Sequence, residues 1–175
     1  APVVADPKGA DLNQAYLDYD MGEHGLIRLG RQEVVLDNAR FVGNVGWRQN
    51  HQSYDALAYV GGSSLPFGLV YGYVQNVNRI FGDFAGGGDL RTAAHVLNVS
   101  KDFDGLGKAA AYVYALDVEA APALSTMTIG ASLAGDLPVG EDFDMTYRVE
   151  FATQSDYADN TMTDYSADYY RAELG

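Results

Sequence analysis

Polar and apolar residues alternate with a period of two along several segments of the chain, most clearly over residues 142–151. One parity of this segment carries polar side chains, at Asp142, Asp144, Thr146, Arg148 and Glu150. The other parity carries apolar side chains, at Phe143, Met145, Tyr147, Val149 and Phe151. Because successive side chains of a β-strand point to opposite faces of a sheet, this segment is predicted to be a strand with one polar and one apolar face.

Similar segments recur along the whole chain, separated by stretches rich in glycine, proline and aspartate, and they predict nine strands. The predicted strands lie near residues 12–19, 25–33, 54–60, 66–78, 91–101, 106–117, 125–134, 141–153 and 165–174. Several have the ~9–11 residues that a tilted membrane-spanning strand requires. The predicted fold class is therefore all-β, an antiparallel up-and-down sheet of about nine strands.

The predicted connections alternate between short and long. The short ones lie at residues 21–23, 61–64, 102–105 and 135–138, and the long ones at 34–53, 79–90, 118–124 and 154–164. Outer-membrane β-barrels have this arrangement because their periplasmic turns are short and their extracellular loops are longer. The pattern thus predicts a piece of transmembrane barrel wall, located in a bacterial outer membrane and in contact with its lipid.

The alternation also gives the predicted barrel a direction. A first strand that ends in a short turn runs from the outside toward the periplasm, whereas single-chain barrels begin on the periplasmic side and have an even number of strands. We therefore expect residues 1–175 to form one barrel segment that lacks N-terminal strands. The pattern leaves open whether strands are also missing at the C-terminus.

Charge and composition exclude several classes of function. The chain has 24 acidic and 11 basic residues, for a net charge of −13, which argues against a nucleic-acid partner because phosphate neutralisation needs a basic surface. The absence of cysteine excludes disulfides, thiolate metal ligands and a cysteine nucleophile.

Motifs for catalysis and metal binding are poor. Ser132 lies in a Gly-Ala-Ser-Leu-Ala run that lacks the second glycine of a nucleophile elbow. The three histidines, His24, His51 and His95, do not have zinc-ligand spacing. We therefore predict a protein that is not an enzyme and that needs no cofactor or metal.

Five short motifs occur in order over residues 11–60. They read LNQAYLD at 12–18, RLGRQ at 28–32, RFVG at 40–43, WRQ at 47–49 and YDA at 54–56. In this ordered set the chain resembles the alginate export family of outer-membrane porins. The resemblance implies a single-chain barrel of about 18 strands with charged residues along a polysaccharide-conducting lumen, and it suggests envelope export machinery as a partner. By motif it implies lumen or constriction roles for Arg31, Arg48 and Asp55, and secondary ones for Arg28 and Arg40.

The physics of the bilayer points to further pore-lining residues. An arginine or lysine on the lipid face costs about 2–4 kcal/mol at the bilayer midplane, so the polar parity of each strand should face the lumen. This places five charged residues inside: Asp144, Arg148, Glu150, Arg171 and Glu173. Arg28 and Arg31 have opposite parity, and we expect Arg31 at the rim.

Aromatic residues are numerous enough to form belts at both membrane interfaces, with 13 tyrosines and seven phenylalanines. Phe143 and Phe151 are expected at opposite ends of one apolar face. The predicted function is passive conduction of a polar or anionic solute, with an alginate-like polysaccharide or its oligomers as the expected cargo. The alternative is a soluble or surface-exposed β-domain that binds carbohydrate or protein. The sequence leaves open whether the loop at 34–53 folds inward as a constriction, which its length and arginines favour.

Overall fold

The computed structural model describes residues 10–82, 85–138, 144–160 and 165–175. Nine strands dominate it, and two short 3-10 turns, at Gly22–His24 and Pro122–Leu124, interrupt the connections. Within these residues no helix is both long and apolar enough to cross a membrane. The strands are β1 Ala15–Asp20, β2 Gly25–Gln32, β3 Ser53–Gly61, β4 Gly68–Asn78, β5 Asp89–Phe103, β6 Gly107–Leu116, β7 Thr126–Pro138, β8 Asp144–Asp156 and β9 Ser166–Leu174.

All nine strands belong to one sheet, in which each strand pairs antiparallel with its neighbours in sequence. The order β1 to β9 is the up-and-down meander that the alternation predicts, so the all-β fold class and the strand number are confirmed. The sheet is open over the described residues, because β1 pairs only with β2 and β9 pairs only with β8.

The hairpin between β7 and β8 differs from the prediction. Residues 135–138 were expected to form a turn, but β7 continues to Pro138, which pairs with Asp144. The period-two pattern in fact extends through Asp136 and Leu137, and proline is tolerated at the end of a strand because its missing N–H is not needed there. The turn prediction was therefore wrong by a few residues. Asp142 and Phe143, assigned from sequence to the next strand, lie outside the described residues.

Short and long connections alternate in the structure. The short ones cover residues 21–24, 62–67, 104–106 and 139–143, and the long ones cover 33–52, 79–88, 117–125 and 157–165. In an antiparallel meander, consecutive connections lie at opposite ends of the sheet. One end of the sheet therefore carries the short connections and the other carries the longer ones, as the sequence predicted.

One face of the sheet, here named the bare face, is apolar and uncovered. Its side chains include Leu57, Ile129 and Phe151, which are 45%, 49% and 45% exposed. Soluble proteins rarely leave so large an apolar surface in water. Among the described residues, charges on this face lie near strand ends, at Arg31, Asp55, Asp89, Arg91, Lys101 and Asp168.

The register of the strands is strongly staggered. One laterally paired row of the bare face consists of Tyr19, Ile27, Tyr59, Tyr71, Leu97, Val113, Ile129, Thr153 and Asp168. It begins beside the short turn after β1 and ends beside the long connection before β9. The strands are therefore tilted relative to the row of turns, which is the offset that closure of a barrel requires.

Candidate functional site

The opposite face of the sheet is covered by residues 33–52, here named the long loop. The loop leaves β2, crosses the sheet and returns to β3. Phe41 near its middle packs against Tyr112 and Tyr114 of β6, with ring centroids 5.7 and 6.3 Å apart, and against Tyr169 of β9, at 5.7 Å. We name this covered side the loop face. The loop therefore extends over most of the width of the sheet.

Apolar side chains fix the first half of the loop. Val42 is 6% exposed and belongs to one buried cluster with side chains of β3 to β6 and β8. Val34, Leu36 and Phe41 pack against the same cluster. Burying a valine, leucine or phenylalanine side chain completely contributes about 1.5–3 kcal/mol, so these four residues supply much of the loop's docking energy.

Two polar contacts, here named the latch, join the loop to distant strands. Asn38 donates a hydrogen bond to Glu150 of β8, with the amide nitrogen 2.9 Å from Oε2. Next to it Asp37 accepts a hydrogen bond of 2.7 Å from the side chain of Asn98 on β5. In one contact the loop supplies the amide and the strand the carboxylate, and in the other the roles are reversed. Each contact therefore needs a specific side chain on the loop and another on the strand.

Glu150 is the most deeply buried acidic residue of this face, at 5% exposure. A carboxylate in such a position is costly unless hydrogen bonds satisfy its oxygens. Asn38 serves Oε2, and the hydroxyl of Tyr112 donates to Oε1 over 2.8 Å. The loop is thus one of two groups that satisfy Glu150, and undocking it would leave part of the carboxylate without a partner.

The ring of Tyr112 reaches Glu150 because Gly130 makes room for it. The two residues are cross-strand partners on β6 and β7, and a Cβ placed on Gly130 would meet the tyrosine ring at 2.4–2.6 Å. The Tyr112 ring also stacks on Tyr114 with centroids 4.9 Å apart. A glycine in a strand often marks such a close approach, and here it positions the residue that holds the latch carboxylate.

The root of the loop is tied down by Glu33, directly after β2. Its carboxylate accepts hydrogen bonds from Asn13 and Asn44, and lies 3.0 Å from the ring nitrogen Nδ1 of His51. Burial alone would raise the pKa of Glu33, but the hydrogen bonds from Asn44, Asn13 and His51 outweigh it and lower this pKa. The carboxylate is therefore ionised and fully engaged at neutral pH.

The loop backbone holds three non-glycine residues in the left-handed region, Asp37, Ala39 and Val45, with φ of 51°, 58° and 53°. Each such residue costs of order 1–3 kcal/mol and persists only where surrounding contacts impose it. Gly43 is also constrained, since a Cβ there would lie 2.7 Å from the Cβ of Ala39. The docked loop is thus a specific conformation held by its contacts with the sheet.

Both candidate arginines of the loop are kept apart from carboxylates. Arg40 is exposed and its guanidinium lies 5.0 Å from the ring centroid of Tyr169. Arg48 stacks on Trp47 at 3.8 Å, and its buried Nε and Nη1 atoms find no hydrogen-bond partner among the described residues. The carboxylates of the loop have partners of their own, since Glu33 contacts two amides and His51, and Asp37 accepts from Asn98. Its arginines, by contrast, carry positive charge with no described counter-ion.

The candidate pore-lining residues on the strands of the loop face include charge pairs near both edges of the sheet. On one flank Arg28 forms a bidentate ion pair with Asp18, at 2.7 and 2.8 Å. On the other flank Arg171 donates to Glu173 over 2.7 Å, and Arg171 is the cross-strand partner of Glu150. Two further candidates, Arg148 and Asp144, share this face farther along β8 toward the short-turn end.

Arg31 and Asp55 lie on the bare face, away from the long loop. They form a bidentate ion pair, with Nε–Oδ1 and Nη2–Oδ2 distances of 2.8 and 3.1 Å, at the end of β2 and β3 where the long loop begins. The family resemblance implied a shared lumen role for these two residues with Arg28 and Arg48. Successive residues of β3 point to opposite faces, however, and Ala56 contacts the loop, so Asp55 lies on the bare face. The pair therefore stands at the end of the apolar face.

Sequence reasoning missed most residues of the latch. It selected Glu150 from strand parity, but not Asp37, Asn38, Asn98 or Tyr112, because a loop has no period that reveals which side chains meet a strand. The available signals were indirect, namely a glycine opposite a tyrosine and an Asp-Asn pair inside an apolar stretch. In the described part of the chain, no three acidic, histidine or cysteine side chains are placed to hold a metal ion.

Comparison with known families adds one finding. Residues 1–68 match the family model described as alginate export. This confirms the resemblance that the motifs over residues 11–60 indicated. The matched part contains β1 to β3 and the whole long loop. No curated protein and no solved structure matches the chain.

Proposed function

We propose that the chain forms part of the wall of an outer-membrane channel whose pore is narrowed by the long loop. The observation that carries the proposal is the division of the sheet into an uncovered apolar face and a loop-covered face with charged flanks. A bilayer would cover the bare face, and the loop face would line the water-filled lumen. The match of residues 1–68 to an alginate export family supports the same assignment.

The open sheet is consistent with a larger barrel. Both edge strands have unpaired backbone groups, which a membrane does not tolerate because every such group must be satisfied within the protein. We propose that further strands complete the barrel, to about 18 in total if it follows the outer-membrane porin pattern. The staggered register already supplies the tilt that closure needs.

The proposed solute is polar or anionic and saccharide-like. The arginines Arg40 and Arg48 favour an anion in their immediate vicinity, because neither has a carboxylate partner among the described residues. The paired charges on the flanks, Arg28–Asp18 and Arg171–Glu173, offer alternating donors and acceptors suited to hydroxyl groups. Selection would follow from size and field, without chemical change of the solute. Envelope export machinery would be the protein partner of a channel that secretes a polymer.

The first test is expression of the complete barrel chain that we propose, with residues 1–175 inside it and with a signal peptide, followed by fractionation and by electrophoresis with and without heating. We expect an outer-membrane protein whose mobility changes on heating, as closed barrels show. Conductance in planar bilayers, measured with and without oligouronates, then tests the channel and its solute. A soluble protein with unshifted mobility would overturn the channel assignment and would favour a β-domain that binds carbohydrate or protein.

A further inference from the structure

A cavity of about 260 Å³ lies between the long loop and the sheet. Phe41 and Val42 of the loop cover it, and the sheet below is lined by unusually small residues, including Ala56, Gly72 and Ala94. Small side chains on three neighbouring strands leave the space that larger ones would fill. The cavity belongs to the docked loop, since one of its walls is the loop itself.

The chemistry of the lining points to an apolar guest. Its polar side chains are committed to partners within the protein. Tyr54 donates to the carbonyl of Gly43, the amide nitrogen of Gln52 donates to that carbonyl and to Tyr54, and Thr92 donates to the carbonyl of Val74. The one charged residue of the described lining, Arg79, donates to the carbonyl of Gly87 and lies over the ring of Phe81, with 4.8 Å between its guanidinium carbon and the ring centroid. Apolar cavities without free polar groups hold no ordered water and take up apolar molecules, as a cavity of about 150 Å³ takes benzene.

The position of the cavity excludes a lipid tail from the surrounding bilayer. Ala56 and Ala94 face the loop, whereas Leu57 and Leu97 of the same strands face the bare side, so the strand backbones separate the cavity from that side. A saccharide fits poorly, because most of the lining side chains are apolar and cannot bind its hydroxyl groups. What fits is a free, compact, uncharged molecule that enters from the aqueous side.

We propose that this cavity is a binding site for small apolar molecules of about the size of a monocyclic arene. Such a guest fits only while the loop is docked, so its binding would stabilise the docked loop by a free energy that grows with the logarithm of guest concentration above Kd. The inference rests on the docked loop and does not depend on whether the protein conducts ions or saccharides.

The test uses toluene as the probe and the valine methyl groups as reporters, in purified protein labelled with ¹³C at valine. Several valines line the cavity, among them Val42, Val74 and Val96. Val99, Val113 and Val149 lie on the bare face and report partition of toluene into detergent or lipid. We expect saturable shifts of the cavity valines and only small, linear shifts of the bare-face valines.

Filling the cavity supplies the control. A Cβ on Gly72 would approach only the carbonyl of Leu57 and the Cβ of Val96, both at 4.0 Å, so Gly72→Leu can extend into the space without a backbone clash. We expect Gly72→Leu to weaken toluene binding by roughly tenfold or more, equivalent to at least 1.4 kcal/mol. Ala94→Leu is a second filling variant in case the first does not fold, and Ala131→Leu on the bare face is the matched control that keeps binding. The proposal is overturned if cavity and bare-face valines respond alike, or if the filled variants bind toluene as the native protein does.

Discussion

Asn38 in the long loop donates a hydrogen bond to Glu150 on β8, over 2.9 Å and across 112 residues of sequence. This contact joins the first half of the loop to a strand next to the far edge of the sheet. Glu150 also accepts a hydrogen bond from the hydroxyl of Tyr112, so one buried carboxylate connects the loop, β6 and β8. The width of the proposed pore therefore depends on a small number of specific side chains.

Removing the amide should release the loop. Asn38→Ala leaves Oε2 of a buried carboxylate without its described partner, which costs about 1–3 kcal/mol of docking free energy. Because the chain has no cysteine, a spin label at Trp47→Cys reports loop mobility specifically. We expect a more mobile label and a higher single-channel conductance. Asn50→Ala, at the root of the same loop beside Arg31 and Glu33, should change neither. An immobile label in Asn38→Ala would refute the latch.

The two faces of β8 should respond oppositely to charge. Val149 on the bare face is 48% exposed, and Thr146 on the same strand faces the loop side. Val149→Arg should cost about 2–4 kcal/mol if this face contacts the bilayer midplane and should block assembly, whereas Thr146→Arg should assemble normally. Heat-modifiable mobility in outer-membrane fractions measures both. Equal tolerance of the two substitutions would argue against a membrane-facing bare side.

The nine strands could be predicted because period-two alternation is clear in several of them and glycine- and aspartate-rich segments separate the rest. The same segments predicted the short and long connections. The extent of β7 was underestimated because Gly135 and Pro138 usually mark turns, although Asp136 and Leu137 continue the alternation. The loop contacts could not be predicted, since Asp37 and Asn38 meet their partners through tertiary folding alone. Asp55 illustrates a third limit, because a shared motif does not tell which face a residue occupies.

Two glycines of the loop face should behave differently on substitution by alanine. At Gly130 the new methyl group would collide with Tyr112, which is held by its stacking on Tyr114 and its bond to Glu150. Overpacking of this kind costs about 1–3 kcal/mol. At Gly72 the methyl group meets open space, so Gly72→Ala should be neutral or stabilising by up to about 1 kcal/mol. Urea unfolding followed by loss of the fast-migrating band compares them, and a Gly130→Ala variant as stable as Gly72→Ala would contradict the packing.

Acid should loosen the root of the loop through Glu33. Its pKa is lowered in the folded protein from an ordinary value of 4.5. Its stabilising contribution is therefore complete above that value and is lost as the pH falls through the lowered pKa. The Trp47→Cys spin label should therefore gain mobility in acid, at pH values below the ordinary range of a glutamate carboxyl group. Glu33→Gln should remove this step, whereas Glu119→Gln in another long connection should retain it. A step that persists in Glu33→Gln would assign the transition to another group.

Ion selectivity tests the charges of the loop. Arg40 and Arg48 have no carboxylate partner among the described residues, so their field should attract anions to the narrowest part of the proposed pore. Arg40→Glu and Arg48→Glu should each shift the reversal potential in a salt gradient toward cation preference, and the double variant should shift it further. Arg91→Glu changes the net charge equally, but Arg91 lies on the bare face near the end of β5 and should leave selectivity unchanged. The shift should shrink at high salt, since the Debye length falls to about 3 Å at 1 M. If Arg91→Glu shifts the potential as much as Arg40→Glu does, selectivity follows overall charge and the loop is not the selecting element.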